Sequence, residues 1–158
     1  MAPFLNLLWW FGYLIVGLWL QLKLPGLDAL LPGFLVALQE KRWQQTTWFL
    51  LVCLLIQEGT GTLSFGSSVL WYGGVILLFH IGVWFFVTNS LFFIVLLSGG
   101  IGVLYAVLQY ALGSLQNMTL PLERIIEQAF AQAMLIPPLW GIAYLTRKKA
   151  IRHAESTV

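Results

Sequence analysis

Glu123 and Glu127 stand four residues apart in "LERIIEQAFAQAML", so on a helix they share one face, with Arg124, Gln128 and Gln132 on an adjacent stripe. Two carboxylates in that register can act as acid and base. Glycosidase-type work would also need a cleft open to water and a sugar site, and nothing else in the chain supplies them. Charges inside membrane segments normally pair. The favoured reading is therefore that Arg124 neutralises Glu127 or Glu58 near the outer interface while the glutamines bond across helices.

A second polar stretch, "QEGTGTLSFG" at 57–66, follows directly on the apolar run "WFLLVCLLI". A phosphate-cradling loop needs a lysine and a hydroxyl residue after its second glycine, and this stretch has no lysine. Gly59 and Gly61 instead suit a turn in which one helix stops and the next begins, with Glu58 at the helix end and Gly66 as the closing glycine. His80 lies within "VILLFHIGVWFF", where an ionisable residue is a functional candidate by default. With no second histidine or cysteine pair near it, the expected state is a neutral imidazole hydrogen-bonded to a neighbouring helix. Ser98 and Gly102 in "LSGGIGVL" have the small-xxx-small spacing that lets helix backbones approach closely. Cys53 is the only cysteine, which excludes an intrachain disulfide and a thiolate metal site. No cofactor, metal set, nucleotide fingerprint or nucleic-acid patch is expected, and the chain does not read as an enzyme.

These residues must be positioned by membrane helices. Of 158 residues, 59% are hydrophobic and 9% charged, and mean hydropathy is +0.86. Soluble domains carry about a quarter charged residues, so this chain belongs in a bilayer. The expected fold is all-α: a single integral membrane domain over 1–158, a polytopic bundle of about six transmembrane segments. The expected segments are Phe4–Leu24, Leu27–Leu38, Trp43–Ile56, Ser67–Val87, Leu91–Leu115 and Leu120–Leu145. The first, lacking a basic n-region, reads as a retained helix. The second is too short to span, hence short, broken or re-entrant. The last is expected to kink at Pro137-Pro138.

Six crossings put both termini on one side, together with the turn bearing Lys41 and Arg42 and a basic tail from about 147 bearing Arg147, Lys148, Lys149 and Arg152. The positive-inside rule makes that side cytoplasmic.

With these features the chain resembles the MreD family, small polytopic membrane proteins of the bacterial rod-shape system. The resemblance rests on Pro32 opening the short second helix, on "EGTGTLSFG" as an acidic residue followed by a glycine-and-serine turn, and on the closing "PPLWGIAYLTRKK". It implies a non-catalytic scaffold of the inner membrane, working with a single-span MreC-like partner, an MreB-like cytoskeletal filament and wall-synthesis enzymes, in lateral peptidoglycan synthesis. The alternative is the substrate-binding membrane subunit of an energy-coupling-factor vitamin transporter, with Glu58, Trp71, Arg124 and Glu127 lining a pocket.

Overall fold

A computed structural model describes residues 3–24, 26–60, 66–86, 90–115 and 121–155, and its regular structure is wholly helical. Six helices follow one another: α1 (Pro3–Lys23), α2 (Leu31–Gln39), α3 (Trp43–Thr60), α4 (Ser67–Phe85), α5 (Leu91–Leu115) and α6 (Leu122–Glu155). Three of them, α4, α5 and α6, are long and apolar enough to cross a membrane. At 1.5 Å per residue α2 is only about 13 Å long, too short to span by itself.

That short helix is the centre of the bundle. Residues Leu31 to Ala37 are all buried, and four long helices touch it or its lead-in. Tyr13 of α1 bonds to Gly33, Thr46 of α3 to Ala37, and the Tyr72 ring of α4 meets Phe34 edge-on at 5.3 Å. Trp140 of α6 donates to Gln39. α5 closes the outside of the ring between α4 and α6. On the α6 side Gly102 is pressed so closely that an added Cβ would lie 2.9 Å from the Ala129 carbonyl oxygen. On the α4 side Phe79 and Phe93 pack edge to face at 5.7 Å. α1 and α3 meet through Trp10 and Phe49, whose ring centroids are 4.6 Å apart.

A helix that begins inside an apolar bundle must satisfy its first backbone donors without water. In α2 each is accounted for. The Leu31 N–H reaches Asp28, Pro32 has none to satisfy, Gly33 donates to the Tyr13 hydroxyl at 2.8 Å, and Phe34 donates to the Leu30 carbonyl. At the other end the Thr46 hydroxyl donates to the Ala37 carbonyl at 3.0 Å. Lys41, in the left-handed conformation at φ 54°, turns the chain and returns its N–H to Leu38.

The last helix departs from expectation. Instead of ending near Leu145, α6 runs unbroken through Pro137 and Pro138 to Glu155, so the basic tail from 147 continues the helix. The two prolines leave the carbonyls of Ala133 and Met134 without their helical donors, but they do not end the helix.

Candidate functional site

Two polar clusters hold the bundle, one near each end. The first is built on Asp28, in the connection from α1 to α2, which the sequence reading passed over as part of an apolar stretch. Five groups donate to its carboxylate. Gln21 Nε2 and the backbone N–H groups of Leu30 and Leu31 reach Oδ1 at 3.1–3.2 Å; Trp71 Nε1 and the Tyr72 hydroxyl reach Oδ2 at 2.9 and 3.0 Å. Every partner is a donor, the pattern a deprotonated carboxylate requires. Its negative charge also lies at the N-terminus of α2, where the helix dipole stabilises an anion. Gln132 of α6 completes the site by accepting the Asp28 N–H on Oε1 at 3.0 Å. Beside it Gln128 accepts from the Tyr105 hydroxyl at 3.0 Å. α1, α2 and α4 thus converge on the Asp28 carboxylate, and α6 on its backbone N–H.

The second cluster is built on Arg147, whose side chain is 2% exposed. Its Nε lies 2.6 Å from Glu40 Oε1, its Nη2 reaches Glu40 Oε2 at 3.1 Å and also donates to Asn6 Oδ1, and its guanidinium lies 5.1 Å from the ring centroids of both Trp9 and Trp10. Gln45 joins by donating to Glu40 and accepting from Asn6. The start of α1, the end of α2, the start of α3 and the later part of α6 therefore meet at one end. Arg147 and Gln132 are fifteen residues apart on α6, so the clusters are separated by about 22 Å along that helix.

The residues singled out in the sequence distribute differently from expectation. Glu58 accepts from the backbone N–H groups of Gly66 and Ser68 at 3.1 and 3.2 Å, tying the end of α3 to the start of α4. Gly66 has φ 95°, a conformation that favours glycine. Gly61 lies outside the described residues. Arg124 does not pair as expected. It, Glu123 and Glu127 are exposed on the first turns of α6, and among the described residues the one ion pair is Arg147–Glu40. The glutamines of that helix do bond across helices, Gln128 to α5 and Gln132 to the α1–α2 connection.

His80 is also placed differently: it is exposed on the outside of α4 and bonds through Nδ1 to the carbonyl of Ile76 at 2.8 Å, within its own helix. Ser98 is buried, its hydroxyl donating to Val95 at 2.8 Å, and Gly102 packs on α6. The small-xxx-small pair is thus spent inside the bundle. Of the four residues considered for a vitamin pocket, Trp71 serves Asp28, Glu58 caps α4, and Arg124 and Glu127 point outward.

Chemically, both clusters are clamps. Asp28 and Arg147 are charges withdrawn from the surface and surrounded by ligands from distant parts of the chain. Among the described residues no group of three His, Cys, Asp or Glu side chains comes together to hold a metal. Comparison with protein-family models, curated proteins and solved structures finds no match to the chain.

Proposed function

We propose that this chain is a membrane scaffold of the MreD type, which holds a single-span, MreC-like protein against its lipid-facing helices and so helps organise lateral wall synthesis with an MreB-like filament. The observation that carries the reading is the outer surface of the neighbouring helices α4 and α5. On α4 the exposed side chains Leu70, Leu77 and Trp84 flank Gly73; on α5 Phe92, Val95 and Val103 flank Gly99. A Cβ added at either glycine would meet nothing within 4 Å, so each leaves an open notch between apolar ridges. In lipid, apolar character alone does not bring helices together, and close backbone approach through such notches is what remains. The inward glycines are already occupied within the bundle. The turn from Glu58 to Gly66 and the closing "PPLWGIAYLTRKK" add the family resemblance.

Six crossings and cytoplasmic termini belong to the same proposal. The Arg147 cluster brings the N-terminal end of α1, the α2–α3 turn and the later part of α6 to one end, so Lys41, Arg42, Lys148 and Lys149 are grouped there. The positive-inside rule assigns that end to the cytoplasm of a bacterial inner membrane. In this arrangement α1 and α3 cross beside α4, α5 and α6, and the lead-in from 26 to 30 helps complete the crossing that α2 is too short to make.

The test is purification of the full chain in mild detergent from a rod-shaped bacterium. A single-span protein should accompany it, Gly73→Leu and Gly99→Leu should reduce that protein's recovery without reducing insertion, and depletion should round the cells. A chain that arrives alone with a tightly held small molecule, from cells whose shape is indifferent to its depletion, sinks the scaffold reading in favour of the transporter subunit.

A further inference from the structure

His80 is left unexplained by either clamp, and it borders a groove. Between the end of α2, the α2–α3 turn and α4 lies a cavity of ≈ 260 Å³ whose walls include Leu38, Phe79 and Val83 and whose polar and aromatic rim is formed by Lys41, Trp43 and His80. Three observations bear on its occupant. Lys41 is exposed and, among the described residues, pairs with no carboxylate; the adjacent Glu40 is taken by Arg147 and Gln45. Trp43, 76% exposed, stands where an indole would anchor at a membrane surface. His80 bonds through Nδ1 to the Ile76 carbonyl at 2.8 Å, which only an N–H can do. Nδ1 therefore carries the proton, and in the neutral ring Nε2 is an acceptor.

The geometry points to this groove as the seat of an anionic phospholipid whose head group bears a hydroxyl, such as phosphatidylglycerol. The Lys41 ammonium takes the phosphodiester, His80 Nε2 accepts from the head-group hydroxyl beside Val83, and an acyl chain passes Phe79 toward the bilayer interior. Depth agrees. His80 lies five residues before the end of α4, about 7.5 Å along the helix, and the head-group layer on each side of a bilayer is about 5–8 Å thick. Charge agrees as well: Arg42, Lys148 and Lys149 lie at the same end of the bundle, which draws anionic lipid to that surface. The other basic groove, lined by Arg147 and Lys148, contains Glu40, whose carboxylate repels a phosphate. This inference needs only a membrane-embedded bundle and is independent of any protein partner.

The experiment is native mass spectrometry of the purified full chain in mild detergent, titrated with phosphatidylglycerol and, separately, phosphatidylcholine. One interfacial lysine corresponds to about fivefold in affinity for anionic lipid, so the wild-type chain should prefer phosphatidylglycerol by at least that factor. Lys41→Gln should cut the preference about fivefold, His80→Phe should weaken phosphatidylglycerol binding, and Lys149→Gln, outside the groove, should change the preference much less than Lys41→Gln does. Lys41 and His80 are both exposed, so folded yield should not change. Equal affinity for the two lipids in the wild-type chain, or a full preference surviving in Lys41→Gln, overturns the proposal. So does displacement of the lipid by glycerol phosphate at equal concentration, which would mark the groove as a site for a free phosphate.

Discussion

Replacing Asp28 by asparagine changes one atom in size and almost everything in hydrogen bonding. The amide has a single acceptor oxygen. Turned toward the α2 terminus, it keeps Gln21 and the N–H groups of Leu30 and Leu31, but its NH₂ then faces Trp71 and Tyr72. The tyrosine hydroxyl can rotate and accept; the indole N–H can only donate and is left without a partner. An orphaned buried donor costs about 1–3 kcal/mol, and hydrogen bonds to a charged acceptor are worth about 1 kcal/mol more than neutral ones. Asp28→Asn should therefore destabilise the fold by about 3–5 kcal/mol, less whatever is recovered by no longer burying a charge. The sharper expectation concerns Trp71→Phe. In the wild-type chain it removes a charge-assisted bond, about 1.5–3 kcal/mol. In the Asp28→Asn chain it removes a donor facing a donor and should cost nothing or stabilise. A double-mutant cycle, read by reversible unfolding in mixed micelles, should show a coupling of about 2 kcal/mol or more. If the two substitutions are additive within about 0.5 kcal/mol, the carboxylate is not organised by these donors and the account of the first cluster is wrong.

Arg147→Leu should cost about 3–5 kcal/mol by stranding Glu40 in a partly buried site, whereas Lys149→Leu on the exposed side of the same turn should stay within about 0.5 kcal/mol; thermal unfolding of the two variants side by side checks this. Gly102→Val should reduce folded yield outright, because its side chain would meet the Ala129 carbonyl oxygen, while Gly99→Val should leave the fold intact; size-exclusion profiles in detergent separate the two. Lys41→Gly should stabilise by about 1 kcal/mol, since a left-handed residue with a Cβ carries that strain, and an unchanged or lowered melting midpoint would contradict it.

The helices were readable because hydrophobic runs of membrane length admit few alternatives. α5 begins and ends where its apolar run does, and the short second segment was visible from its length alone. The clamps were not readable. A sequence places each charge beside its chain neighbours, and Asp28 sits among leucines, prolines and glycines. The side chains that make it a site lie up to 104 residues away. One signal was available: an aspartate three residues before Leu31-Pro32, at the start of a helix too short to span, is a helix-start pattern that also demands an explanation in lipid. Arg147 was misjudged for a related reason. As one of three consecutive basic residues it looked like topology-setting charge, and what distinguishes it from Lys148 and Lys149 is its pairing with Glu40 and Asn6 under the rings of Trp9 and Trp10, all distant in sequence. The Arg124 pairing failed because spacing along one helix says which residues share a face, not which way that face points.

The central position of α2 also has a bearing on synthesis. A membrane inserts helices as they emerge, and a nine-residue helix emerges with little claim to a place of its own. The groups that fasten it arrive last: Gln132 at the Asp28 N–H, Trp140 at Gln39 and Arg147 at Glu40 all come from the final helix, 101 to 107 residues later. Until α6 is made, the Asp28 N–H lacks Gln132, and Glu40, held only by Gln45, lacks its counter-ion. A chain truncated before Arg147 is thus not a shorter version of the bundle but an unfinished one, with Glu40 left inside it without its counter-ion. α6 is the keystone of the bundle, the helix that locks both ends of α2.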